Sequence, residues 1–139
     1  MATIIPCVPH QARMEFLQGL HGPADKYRLI LLGPGVEGDY GPDSIAYPGA
    51  GKLKDEVRTS EAYQEGGVPL SGYRAAKDDQ GAFIGFNPIV LKAATISSWG
   101  GLIINASKGN RIVSVASFGV PVTSSNADFE VELPKAIRF

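Results

Sequence analysis

The chain has 139 residues, 44% of them hydrophobic, and 13 Lys and Arg residues nearly balance 14 Asp and Glu residues. A chain of this length can bury roughly 68% of its unfolded surface, so we expect one domain that needs neither metal nor disulfides. The single cysteine excludes an internal disulfide. The net charge of −1 and the lack of a basic block exclude the electrostatic footprint of a nucleic-acid-binding protein. No apolar run approaches the roughly 18 residues of a membrane span.

Turn-forming residues are abundant, with 17 Gly and 10 Pro. Together with short runs rich in β-branched residues, they predict an all-β fold. We predict an antiparallel, jelly-roll-like β-sandwich with one short N-terminal helix. Residues 1–8 form an extended N-terminal arm, and residues 9–139 form the single β-sandwich domain. The arm is either a strand of its own domain or a segment docked on a neighbour, and the sequence does not choose between them.

Residues 9–20 are the helical candidate. Pro9 suits the first turn of a helix, and Gly22-Pro23 is predicted to end it. The apolar residues recur at the spacing of one helical face, namely Ala12, Phe16, Leu17 and Leu20. Residues 27–32 follow as a nearly continuous apolar run, which predicts a central strand buried on both faces.

A long irregular loop is predicted over residues 33–55, with a brief pairing at Ala46 and Tyr47. Loops of this length in small domains are usually functional or interacting. Residues 56–64 are predicted to form a strand that a glycine pair then turns. Residues 73–77 and 82–86 flank a turn sequence and predict a hairpin.

Residues 94–119 predict the long hairpin around which the domain is organised. Its arms are rich in Ile and Val, and Gly109 and Asn110 tolerate the positive φ that a tight connection requires. Residues 127–133 then alternate strictly between apolar and acidic side chains, which predicts a strand with one buried face and one solvent-exposed face. Ile137 and Phe139 indicate a last short strand.

No sequence motif is surrounded by the residues that its catalytic or binding function would require. Residues 33–38 spell G-x-G-x-x-G, but the following Tyr-Gly-Pro cannot open a helix, and residues 49–52 lack the rest of a phosphate-binding loop. His10 and His21 lack a third ligand at fixed spacing, so we expect surface or capping roles. Cys7 has no activating pattern. We therefore assign no catalytic, cofactor-binding or metal-binding residue.

Three further side chains are interpreted from their neighbours. Lys108 and Arg111 are read as solvated charges at the end of the hairpin. Trp99 lies beside a glycine pair, and we favour packing of its ring over bare backbone, with contact to a partner as the alternative.

Residues 94–96, 100–105, 107–111 and 118–119 form, in this order, a pattern that resembles a family of small structural proteins of tailed-bacteriophage virions. The sequence Ser-Lys-Gly-Asn-Arg at 107–111 is its most specific piece. Other positions agree in order, namely Phe16, Gly19, Leu20, His21, Tyr27, Arg28, Leu29, Tyr47, Glu56, Val57, Tyr63, Gly66, Gly67, Leu70, Phe129 and Pro134. The chain departs from the pattern at Leu91, where the family tends to have Trp, and at Trp99, where a basic residue is common.

The resemblance implies a non-enzymatic virion protein without catalytic residues, made in the host cytoplasm. Within that class we expect a capsid decoration (cement) protein that binds and stabilises the major capsid protein shell from outside as a homotrimer. The alternatives are a tail, baseplate or fibre component and a small carbohydrate-binding or hydrolytic β-sandwich, which exposed aromatics and paired carboxylates in a groove would favour.

We expect the arm and the 33–55 loop to contact other virion proteins or further copies of the chain, and neither nucleic acid nor membrane. The candidate contact residues are Thr3, Ile4, Ile5, Val8, Val36, Tyr40, Tyr47 and Trp99.

Overall fold

The computed structural model describes residues 4–33, 36, 38–47, 55–57, 62–64 and 66–139. Within them, helix α1 (His10–Leu17) precedes seven strands, which are β1 (Tyr27–Leu32), β2 (Val68–Pro69), β3 (Arg74–Asp78), β4 (Gly81–Gly85), β5 (Ile89–Asn105), β6 (Arg111–Val131) and β7 (Ile137–Arg138). They form two antiparallel sheets, ordered β2-β1-β5-β6 and β3-β4-β7. The predicted all-β, sandwich-like fold with one short N-terminal helix is confirmed.

The predicted long hairpin is confirmed as β5 and β6. A short 3-10 turn (Ala106–Lys108) joins them, and Gly109 and Asn110 both adopt positive φ, at 68° and 59°. The hairpin is longer than predicted, because β6 runs through Pro121 and takes in most of the alternating segment that we expected as a separate strand. Proline is tolerated there because β6 is an edge strand of its sheet, where no ladder hydrogen bond is needed on the outer side.

Strand β1 is buried on both faces, as its continuous apolar sequence predicts. Leu29 and Leu31 lie in a first core between the two sheets and α1, together with side chains such as Ile103, Val113, Ile84 and Ile137. Ile30 and Leu32 point to the opposite face, into a second core with Leu102, Ile104, Ile112, Val115, Tyr40 and Tyr47. The arm and the segment around Tyr40 therefore act as a third layer on the larger sheet.

The N-terminal arm lies on its own domain. Cys7 pairs with Val115 of β6 through two backbone hydrogen bonds of 3.0 and 2.8 Å, and Ile4 pairs with Tyr40. Val8 is 5% exposed and belongs to the first core. We therefore expect deletion of the arm to remove part of the core of this chain as well as any partner contact.

Two details of the predicted helix are wrong. The helix ends at Leu17, and Gly19 with φ 75° is the left-handed residue that ends it, so Gly22-Pro23 comes too late. Leu17 is 90% exposed, whereas Glu15 on the inward face is 2% exposed. Ala12 and Phe16 of the predicted face do pack in or against the first core, but the apolar spacing missed Glu15, whose contacts on the same side are polar.

The remaining segments are described in part. Glu56 pairs with Leu32, but residues 62–64 form no strand, and residues 58–61 of the predicted 56–64 strand lie outside the described residues. The 49–52 motif and Thr3 also lie outside them. The hairpin β3–β4, the last strand β7 and the pairing at Ala46 are confirmed.

Candidate interaction surfaces

A buried polar cluster fixes α1 to the end of the long hairpin. We call it the tip cluster; its members are Gln11, Glu15, His21, Asp25, Asn105, Lys108 and Arg111. The Glu15 carboxylate accepts hydrogen bonds from Arg111 at 2.6 Å and from Gln11 at 2.9 Å, and it contacts His21 Nε2 at 2.9 Å. Burial alone raises the pKa of Glu15, but these hydrogen bonds and the positive charge of Arg111 lower it overall.

Asn105 orients the imidazole of His21. The Asn105 amide donates to His21 Nδ1 at 2.8 Å and to Asp25 at 2.9 Å, while its oxygen accepts from the backbone N–H of Ser107 at 3.0 Å. Because Nδ1 accepts, the ring proton lies on Nε2, which donates to Glu15. The expected surface or capping role of His21 is therefore wrong, since the residue is 6% exposed.

The charges at the hairpin end are paired. Lys108 contacts Asp25 at 2.9 Å, and Arg111 contacts Glu15, so the interpretation of both as merely solvated charges is wrong. The hydrogen bond from Lys108, with further ones from Asn105 and the Gly22 N–H, lowers the pKa of Asp25 to about 2. Residues 107–111 thus anchor the end of the hairpin to α1 and to the loop that follows it.

The Asp25 pair predicts a defined pH dependence. The folded-state pKa of about 2 lies below the ordinary value of 3.8, so the pair stabilises the fold above pH 4 and this contribution is lost as the pH falls towards 2. We expect Asp25→Asn to be less stable than the wild type at pH 7 and equally stable near pH 2, as measured by urea unfolding along a pH series. A stability difference that stays constant down to pH 2 would contradict this assignment.

A second buried cluster joins two carboxylates to three tyrosines; we call it the acid–tyrosine cluster. Glu56, 3% exposed, accepts hydrogen bonds from Tyr47 at 2.8 Å, Tyr63 at 2.5 Å and the Gly66 N–H at 2.9 Å. Its neighbour Asp55 accepts one from Tyr40 at 2.7 Å.

The chemical state of these tyrosines follows from their surroundings. Burial, and then the adjacent carboxylates, raise the pKa of Tyr40, Tyr47 and Tyr63 well above the ordinary range. The phenols therefore stay protonated and act as hydrogen-bond donors to Asp55 and Glu56. The cluster ties the segment after the long loop to β1, where the Tyr63 hydroxyl also accepts from the Leu31 N–H at 3.1 Å.

Both clusters are internally satisfied. Every buried side-chain nitrogen and oxygen in the described part of the chain has a hydrogen-bond partner. The two histidines do not come together, since His10 is exposed and His21 lies in the tip cluster. The described residues contain no group of three side chains that could hold a metal ion.

A groove of about 610 Å³ opens beside β6. Its walls are mainly apolar and come from the arm, the larger sheet and the segment before β7, including Val8, Leu29, Ile103, Val115, Phe118 and Leu133. Arg13, Lys135 and Arg138 also line the groove, but Lys135 and Arg138 are both bound to Asp78 at 2.7 Å. Cys7 also lines the groove, and burial raises the pKa of its thiol.

The outer edge of β6, defined as residues 117–126, is the most exposed apolar part of the sheet. Val120 is 63% exposed and Val122 is 41% exposed. Trp99, opposite this stretch on β5, is 37% exposed, so our preference for core packing of Trp99 is wrong. Trp99 remains available for contact with another molecule.

Of the predicted contact residues that the structure describes, one group packs within this chain and the other is exposed. Four of them meet in or against the second core of this chain, namely Ile4, Val36, Tyr40 and Tyr47. Val8 lies in the first core, whereas Ile5, at 46% exposed, and Trp99 present surface. Sequence reasoning missed Val120 and Val122, although the uncharged run around them is visible in the sequence.

Comparisons with known proteins add no relative. No protein-family model, no curated protein and no solved structure matches this chain. Among the described residues, no helix has the length and apolar character that crossing a bilayer requires.

Proposed function

We propose that the protein is a non-enzymatic structural component of a tailed-bacteriophage virion. Its role is capsid decoration: it binds the major capsid protein on the outside of the shell, together with further copies of itself, and stabilises the shell. The homotrimer and the synthesis in the host cytoplasm are parts of the same proposal, because the sequence resemblance implies them.

The observation that carries the proposal is the position of the residues that resemble the virion family. His21, Asn105, Lys108 and Arg111 belong to the tip cluster. Tyr47, Glu56, Tyr63 and Gly66 meet in the acid–tyrosine cluster. The residues that resemble the virion family therefore hold the fold together. Members of a family that shares a fold need such residues at the same positions.

The outer surface supports a role in adhesion. Val120, Val122 and Trp99 are exposed on the long hairpin, outside both cores. Exposed apolar residues on a sheet edge favour association with other chains. A decoration protein needs surfaces of this kind on a scaffold that keeps its shape.

Copy number in the particle tests the proposal. Virions of the phage that encodes this chain are purified and quantified by mass spectrometry, with the major capsid protein as the internal standard. We expect on the order of hundreds of copies, because a shell repeats its binding sites by symmetry. A few to several dozen copies would instead indicate a tail, baseplate or fibre component. Absence from purified virions would contradict the proposal.

The carbohydrate-binding alternative receives no support from the groove beside β6. The groove is lined by one carboxylate, Glu132, and one aromatic ring, Phe118, among the described residues. The adjacent carboxylates Asp55 and Glu56 are buried against tyrosines.

A further inference from the structure

The groove beside β6 opens directly onto the first core. Four residues that line it are members of that core and are at most 8% exposed, namely Val8, Leu29, Ile103 and Leu133. They come from the arm, β1, β5 and the segment before β7, so the groove lies between the layers of the fold. Its volume of about 610 Å³ falls within the range of roughly 300–1,000 Å³ that is typical of small-molecule sites, which combine apolar walls with a few polar groups.

The charges of the groove favour an anion. Three of the four charged residues that line it are cations, namely Arg13, Lys135 and Arg138, and the fourth is Glu132. Lys135 and Arg138 share the single carboxylate of Asp78. The groove therefore has more positive charge than its own carboxylates neutralise.

Arg13 of α1 is the cation with donors to spare. In the described part of the chain no carboxylate pairs with it, Glu132 included. Its guanidinium makes one long hydrogen bond, 3.5 Å from Nη2 to the carbonyl oxygen of Arg138. Because a guanidinium carries five N–H donors, most of those of Arg13 are available to a ligand.

We propose that the groove binds an aliphatic monocarboxylate, with the alkyl chain against the first-core walls and the carboxylate on the guanidinium of Arg13. Binding of the chain removes apolar surface from water. The planar guanidinium matches a carboxylate through two parallel hydrogen bonds. This binding activity goes beyond virion decoration, and neither proposal depends on the other.

Ala116 allows the alkyl-chain site to be tested separately from Arg13. Alternate residues of a strand share a face, so Ala116 shares a face of β6 with Ser114 and Phe118. The Ser114 hydroxyl donates to Ala136, and Phe118 packs against the first core, so this face looks into the groove. A larger side chain at 116 therefore fills the space that we assign to the alkyl chain.

The experiment is isothermal titration calorimetry of the isolated chain with decanoate, at pH 7 and below the critical micelle concentration. The variants are Arg13→Gln and Ala116→Leu. The matched control is Lys77→Gln, which also removes one exposed positive charge, but from β3 and outside the groove lining. Decyltrimethylammonium, with the same alkyl chain and a positive head, is the control ligand. Circular dichroism checks that each variant is folded.

We expect decanoate to bind the wild type and Lys77→Gln with the same affinity. Arg13→Gln weakens binding by about tenfold or more, because the charge-assisted hydrogen bonds are lost. Ala116→Leu weakens it by about tenfold or more, because its side chain competes with the ligand for the groove. Decyltrimethylammonium binds the wild type at least about tenfold more weakly than decanoate does.

Four results would overturn the inference. They are no binding of decanoate to the wild type, equal affinities of Arg13→Gln and Lys77→Gln, undiminished binding to Ala116→Leu, and equal binding of the two ligands. If Ala116→Leu does not fold, Arg13→Gln and the comparison of the two ligands still decide the question.

Discussion

Glu56→Ala is expected to lower the free energy of unfolding by about 3 kcal/mol or more, the range found when one partner is removed from a buried charged network. The substitution leaves the hydroxyls of Tyr47 and Tyr63 and the Gly66 N–H without their shared acceptor. It also opens a cavity at a residue that is 3% exposed. Urea unfolding followed by tryptophan fluorescence measures the change.

Two variants give the controls for Glu56→Ala. Glu130→Ala removes an exposed carboxylate from β6 and is expected to change stability by less than about 0.5 kcal/mol. Glu56→Gln keeps one carbonyl acceptor and is expected to lose less stability than Glu56→Ala. Equal effects of Glu56→Ala and Glu130→Ala would show that the acid–tyrosine cluster does not hold the fold together.

Gly100→Ala is expected to destabilise the domain by about 2 kcal/mol, within the range for overpacked cores. A Cβ at this position would lie 2.3 Å from the carbonyl oxygen of Ala116 and 3.2 Å from the Cα of Ser117. Both obstacles are backbone atoms of β6, so relief requires the two strands of the hairpin to separate. The melting temperature is expected to fall by several degrees, as measured by differential scanning calorimetry.

The matched control for Gly100→Ala is Gly22→Ala, where no heavy atom lies within 4 Å of the added Cβ. We expect Gly22→Ala to leave the melting temperature nearly unchanged. If both substitutions behaved alike, the close approach of β5 and β6 at Gly100 would be wrong.

The elements that sequence predicted well are those with a local signal. Strand β1 is a continuous apolar run, and the tip of the long hairpin carries the residues that tolerate positive φ. Both are confirmed within a few residues. The β3–β4 hairpin was predicted from its Asp-Asp-Gln-Gly turn for the same reason, since a tight turn depends on the residues within it.

The tip cluster could not be predicted because its partners are distant in sequence. Glu15 and Arg111 are separated by 96 positions, and His21 and Asn105 by 84. Periodicity follows apolar residues only, so Leu17 was placed on the inward face, and His21 was assigned a surface or capping role. Only the folded hairpin shows that an acidic residue can occupy the inward face of α1.

The exposed edge of β6 could not be predicted from the sequence for a different reason. An alternating or β-branched sequence predicts a strand but not what covers its faces, and Val120 and Val122 are exposed because neither core reaches them. Trp99 on β5, beside a glycine pair, likewise lies outside both cores. Candidate contacts chosen from the arm and the long loop therefore included residues that this chain buries itself, such as Tyr40 and Tyr47.

The two hydrogen-bonded clusters lie in the interior of the molecule, whereas the outer edge of β6 exposes apolar side chains. The tip cluster fixes α1 to the hairpin, and the acid–tyrosine cluster fixes the segment after the long loop to β1. With the sheet held in this way, the edge of β6 keeps a defined shape for contact with other chains. The proposed role in virion decoration depends on that division.

A cryo-electron microscopy map of the intact particle tests this account most directly. We predict density that fits the β-sandwich at symmetry-related positions on the outer surface of the shell, in contact with the major capsid protein. Density for the chain only at the tail, or a fully occupied shell with no density for it, would contradict the assignment to capsid decoration.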